Sequence, residues 1–284
     1  GYAARPNGPP GFGALGGVVA RLVGGKGAAW SEALGLGLQG WQMAYIVGGA
    51  LGLMLLALRA GAFESGLFKT ALERTEVKKG NILMLFNSWS RARRYISAVL
   101  IGLPVWFVVG VLINQSDTIA KAIGVSGTVS VGDSVMWGYV GLSIGDLLSG
   151  LLSQWMRSRK KVVFIYLAVL TCSTLLFTLS HDVSLEWFHA MCCVLGISTG
   201  FWALFVTIAS EQFGTNLRST VTNTAPNLVR GATYFITTGF VAMLPSIGAS
   251  ASALVVGTVC VGLSFLGVLG VKESFHSDMD FVEH

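Results

Sequence analysis

Apolar residues run along this chain in long blocks separated by short polar or basic intervals. Neither the strict alternation of a half-buried strand nor the single apolar stripe of a soluble helix describes them. A helix needs about 20 mostly apolar residues to cross a bilayer core. Ala33–Leu58, Tyr95–Ser116, Val162–Ser180 and Trp187–Ser210 each reach that length without Asp, Glu, Lys or Arg. Gly231–Val271 is uncharged for 41 residues but contains MLPSIGAS (243–250), where Pro245 and small polar residues suit a turn. It predicts a hairpin of two spans, about 226–244 and 251–271. A further span covers 131–156, with Asp133 near one end and Asp146 near the middle. Seven spans result. An eighth is expected at the start, GYAARPNGPPGFGALGGVVARLV, where proline, glycine and arginine need neighbouring helices to satisfy them.

Composition agrees with an all-α integral membrane protein. The chain is 53% hydrophobic and 12% charged, with a mean hydropathy of +0.68, against roughly 25% charged residues in a soluble domain. Its pI of about 9.1 does not imply nucleic acid, because the cations flank apolar runs instead of forming a soluble basic face. Cys172, Cys192, Cys193 and Cys260 all fall within apolar stretches and are expected to be reduced packing residues. No basic-then-apolar leader follows Gly1, so no signal peptide is expected.

Threading eight spans alternately places fifteen cations on one side and two, Lys26 and Lys121, on the other, with Arg21 and Arg230 inside spans. Cytoplasmic loops carry the excess of Lys and Arg. Both ends are therefore expected in the cytoplasm, the protein being multi-pass in the cell membrane. Trp30, Trp89, Trp155 and Trp187 fall near span ends, as interfacial anchors do. The longest polar connection, 60–93, mixes Glu and Lys as a solvated helix does, then continues into NILMLFNSWS, which suits a membrane surface.

Several motifs are decoys. GLGLQG (35–40) has a membrane span behind it instead of the strand and acidic residue that a dinucleotide site requires. Asn114-Gln115-Ser116 is a glycosylation sequon that abuts the membrane. His181, His189, His276 and His284 are scattered, and no metal, nucleophile-elbow or phosphate-loop motif occurs. Neither an enzyme nor a cofactor is expected. Small residues recur four apart at Gly13/Gly17, Gly141/Gly145 and Gly196/Gly200, a spacing that lets helix backbones approach.

Charges inside spans are the sharper signal. They cost roughly 2.5–3.5 kcal/mol at a helix centre by insertion scales and usually face protein or a wet cavity. Asp146, Arg230, Asp133 and Arg21 are the candidates, either as structural pairs fixing helix register or as groups that couple and gate.

At this point the residues resemble the major facilitator superfamily of secondary transporters, which has twelve helices in two six-helix halves. Its loop motif G-x-L-[SA]-D-R-x-G-R-[RK] is similar to GLLSQWMRSRK (150–160): Gly150, Leu152 and Ser153 match, and basic Arg159 and Lys160 close the stretch. Gln154 stands for the acid, Trp155 for the first arginine and Arg157 for the glycine. Phe63-Glu64-Ser65-Gly66 resembles the segment after the family's sixth helix. SEQFGTNLRST (210–220) resembles the segment after its tenth, at Glu211, Phe213, Thr215, Arg218 and Thr220, and GPPGFGALGG (8–17) with Gly40-Trp41 resembles the fifth and sixth helices.

The resemblance implies a bundle in which the eight spans are the fifth to twelfth helices of twelve. Residues 1–59 would be the last two helices of the N-terminal bundle, 60–93 a cytoplasmic linker, 94–272 a complete C-terminal bundle and 273–284 a cytoplasmic tail. It further implies alternating-access transport of a small polar solute, coupled to protons, by a monomer of the full-length protein in the lipid bilayer. Tyr139, Trp202 and Asn114 would face the cavity, and Gly150, Arg159, Lys160, Glu211 and Arg218 would belong to the cytoplasmic gating segments. Arg21 is expected to approach Asp133, and Arg5 or Arg230 to approach Asp146. An uncoupled facilitator, an exporter of the same fold, or a non-transporting receptor or scaffold are the alternatives.

Overall fold

The computed structural model describes residues 26–60 and 82–275. Among them every regular element is helical, with no strand, and six helices are long and apolar enough to cross a membrane. The described residues divide into two compact units, 26–60 and 82–275. That division falls inside the polar connection at 60–93. The expected first span, with Arg5, Arg21 and Gly13/Gly17, and the segment Phe63–Gly66 lie outside the described residues.

In the smaller unit, residues 26–33 are helical and α1 spans Gly40–Ala60. The apolar run beginning at Ala33 predicts a longer span, but Gly35 and Gly37 take left-handed φ of 67° and 61° and turn the chain. GLGLQG is thus a helix-to-helix turn, closed by a 2.5 Å hydrogen bond from the Leu38 N–H to Ser31 Oγ. Gly40–Leu58, 19 residues, still suffices to cross the hydrocarbon core.

The larger unit begins with a short 3-10 turn, Ile82–Leu85, whose Leu85 is fully buried in the bundle. The rest of NILMLFNSWS is mostly exposed, with Ile82, Leu83, Phe86 and Trp89 on the surface. Helix α2 (Trp89–Phe107) continues as a π-helical segment, Val108–Ile113. Helices α3 (Ser116–Ile123), α4 (Val131–Met156), α5 (Arg159–Leu179), α6 (Leu185–Ser198), α7 (Trp202–Glu211) and α8 (Thr215–Gly270) follow. At about 1.5 Å per residue the 56 residues of α8 would extend roughly 84 Å, far beyond a bilayer core. Gly248, at φ 76° and ψ 172°, breaks it. Both arms pack on α2: Tyr95 bonds Thr224 and Gly102 meets Val229 on the first arm. Gly257 meets Phe107 and Gly267 meets Ser97 on the second. Residue numbers rise together along the first pairing and oppositely along the second, so the arms are antiparallel. The hairpin expected over 243–250 turns at Gly248, with Pro245 still helical.

Two apolar clusters fill the larger unit, one around Tyr95, Ile101, Phe205 and Phe213, the other around Phe107, Phe177, Phe188 and Phe240. Cys192 and Cys260 are buried, Cys172 is exposed, and none of the four is in a disulfide.

Helices α4 and α6 meet through their glycines. A Cβ on Gly141 would lie 2.0 Å from the Cys193 carbonyl oxygen, and one on Gly145 would lie 2.3 Å from that of Ile197. One on Gly196 would lie 2.1 Å from the Gly138 oxygen, and one on Gly200 2.1 Å from Gly145 C. No side chain fits at any of the four, so the two backbones touch along the stripe.

Candidate functional site

The span from 185 to 211 is interrupted. Thr199-Gly200-Phe201 separates α6 from α7, which strands carbonyls on one side and N–H groups on the other. The carbonyls are met locally: the hydroxyls of Ser198 and Thr199 donate to Leu195 O at 2.7 Å and Gly196 O at 2.8 Å. The N–H groups are met by Asp146 from α4. Its Oδ1 accepts from the Ala203 N–H at 3.1 Å, and the Trp202 N–H lies close enough to the carboxylate to favour its charge. Gly200 makes this possible, because its backbone rests directly on Gly145 and Asp146. Tyr166 Oη donates to the Gly145 carbonyl at 2.8 Å and holds α4 in register there.

Trp202 links this carboxylate to a cation. Arg230, on the first arm of α8, places its guanidinium carbon 5.5 Å from the Trp202 ring centre and 5.9 Å from that of Trp106 on α2. The two indoles meet edge-to-face at 6.0 Å. Arg230 Nη1 donates to Asn227 Oδ1 at 3.0 Å, and Tyr139 lies within its electrostatic reach. The Nε1–H of Trp106 has no acceptor among the described residues. Arg230 and Asp146, expected to approach each other, form no ion pair; each is bound to Trp202, one on its ring and one at its peptide. The face of α8 bearing Arg230 is exposed at Asn223, Asn227, Tyr234 and Thr238, at helical spacing.

The remaining expected residues spread out. Tyr139 lines a narrow groove with Val109, Gly138, Leu142 and Thr199. Asn114 is exposed at the end of the π segment. Asp133 stands in the first turn of α4, where an anion suits the helix dipole; Arg21 lies outside the described residues. Gly150 is exposed, with open space around it. Among the described residues no group of His, Cys, Asp and Glu gathers to hold a metal.

A second cluster closes the basic end of the bundle. Arg159 makes a two-point ion pair with Glu211, Nη2 to Oε1 at 2.9 Å and Nε to Oε2 at 3.2 Å. It also donates to Ser153 Oγ at 3.1 Å. Ser274 Oγ donates to Glu211 Oε2 at 2.6 Å, and Lys160 Nζ to Val271 O at 2.8 Å. Arg218 Nη2 donates to Phe213 O at 3.4 Å. Sequence reasoning missed three members. Arg94 donates to Gln212 O at 2.6 Å and stacks on Phe213. The Gln212 side chain pairs with both backbone groups of Lys272, at 2.9 and 3.1 Å. Glu273 caps α5, accepting from the Arg159 N–H at 2.9 Å, the Lys160 N–H at 3.3 Å and the Ser158 hydroxyl. Burial opposes its charge, but these bonds and the Phe275 N–H outweigh it and hold the Glu273 carboxyl below the usual range. None carries a motif letter; only Arg94 had a sequence signal, as one of the cations flanking a span.

Among known families and curated proteins, no family model and no curated sequence matches the chain.

Proposed function

We propose that the protein is a secondary transporter of the major facilitator type, moving a small polar solute by alternating access, with Asp146 as the proton-coupling group. The observation that carries this reading is the polar face of α8: Asn223, Asn227, Arg230 and Tyr234 run along a membrane-crossing helix and stay exposed. Polar side chains at membrane depth that do not face protein face a water-filled cavity. The face lies beside the interruption in the 185–211 span, and irregular backbone at that depth suits a cavity wall. Proton binding at Asp146 would compete with the N–H groups of Trp202 and Ala203, linking the proton to the bend between α6 and α7 and to the Trp202 ring beside Arg230.

Uptake into proteoliposomes by the full-length protein tests this. The expected result is accumulation that needs an inward proton gradient, with Asp146→Asn retaining solute exchange but losing gradient-driven accumulation. Uptake indifferent to the gradient in the unsubstituted protein would replace coupling with facilitated diffusion, and no uptake of any solute would end the transport reading.

A further inference from the structure

The charge balance around Arg230 goes further and, resting on the transport reading, names a substrate class. An arginine inside a membrane bundle ordinarily pairs with an acid. Among the described residues no carboxylate comes within ion-pair distance of Arg230, and its one hydrogen bond goes to the neutral Asn227. The indoles of Trp106 and Trp202 steady the cation by their ring faces, which leaves most of the guanidinium N–H donors unspent. The nearest mid-depth acid in the sequence, Asp146, is committed to the start of α7. Tyr139 on α4 lies within the electrostatic reach of Arg230, and Asn223 lies one helical turn before Asn227 on the exposed face. The surface around Arg230 is thus positively charged, exposed and steadied by two flat rings.

We infer that the transported solute is a small organic carboxylate held on the Arg230 guanidinium. The planar fork of an arginine matches a carboxylate with two parallel N–H···O bonds, which an ammonium cannot reproduce. A cationic or neutral solute would leave the arginine unneutralised when the cavity closes. A carboxylate removes that cost and supplies what the described residues do not.

The full-length protein in lipid nanodiscs, followed by tryptophan fluorescence and thermal shift, gives the test. Succinate, lactate and benzoate are titrated against succinamide, lactamide and benzamide. At least one acid is expected to bind at least tenfold more tightly than its own amide. Arg230→Gln should weaken that acid by about ten- to a hundredfold and leave the amide unchanged, with Arg230→Lys between the two, in line with about 1.5–3 kcal/mol for a hydrogen bond to a charged group. Amides binding as well as acids, no acid binding below 10 mM, or undiminished binding by Arg230→Gln each overturn the inference. The acid–amide comparison needs no variant, so it survives a misfolded one. Counterflow of labelled succinate, lactate and benzoate in proteoliposomes separates the two readings. Carboxylate binding without flux ends the transport reading and keeps the anion site; flux of a neutral solute without carboxylate binding does the reverse.

Discussion

A carboxylate at mid-depth in a membrane bundle usually answers to a cation. Asp146 answers instead to the N–H groups of Trp202 and Ala203, and this decides which substitutions it tolerates. Asp146→Ala removes the acceptor of the Ala203 N–H and should cost about 1–3 kcal/mol in unfolding experiments. Asp146→Asn keeps one acceptor oxygen and should cost less than half as much. Arg157 gives the opposite sign. It holds φ 50° and ψ 36° at the end of α4, a left-handed conformation that disfavours side chains by roughly 1–2 kcal/mol. Arg157→Gly is expected to raise the melting temperature, the gain being partly offset by the greater freedom of glycine when unfolded. Both residues stood out in the sequence, Asp146 as a charge in a span and Arg157 where the resembled motif carries glycine. The partners of Asp146 did not, because a peptide N–H has no letter of its own and becomes available only where a helix breaks.

At the scale of elements, four-residue spacing marked Gly141/Gly145 and Gly196/Gly200 as places where backbones can touch, since only small residues allow it, but it did not say that α4 and α6 meet each other there. Gly141→Ala would drive a methyl into the Cys193 carbonyl and should destabilise far more than Gly150→Ala, which meets nothing within 4 Å; melting curves of the two variants, side by side, check this. The break at Thr199-Gly200-Phe201 was not legible, because those residues sit in an unbroken apolar run and the cause of the break is the approach of α4. At the basic end, Glu273 holds its cap while ionised. Its pKa is lowered on folding, so its contribution is full above the unfolded carboxylate value of about 4.3 and fades as pH falls through the lower folded value. Glu273→Gln should therefore lower stability at pH 7, with the difference from the unsubstituted protein shrinking as the pH drops below about 4.

For the whole molecule, six apolar helices and one basic end set a membrane protein with its cations gathered where 157–161, 211–212 and 271–275 meet. Hydropathy made the spans readable, and the sidedness of Lys and Arg predicts that this end faces the cytoplasm. Cysteines placed at Lys161 and at His181, both exposed and separated by the length of α5, should answer that directly. In intact cells a membrane-impermeant maleimide is expected to label the His181→Cys chain and to reach Lys161→Cys only after permeabilisation. What hydropathy could not supply was the lacing of that end, because it depends on side chains meeting main-chain atoms more than 100 positions apart, as Glu273 meets Arg159.

That lacing also orders events during synthesis. Residues 271–275 are made after every segment they secure, so until α8 is complete the N-terminus of α5 has only its own Ser158 cap, and the Glu273 bonds and the Lys272 clasp on Gln212 are absent. Through insertion the basic end of the bundle is therefore held by Arg159 on Glu211 and Arg94 on Gln212, and it gains the remaining ties only when residues 271–275 emerge.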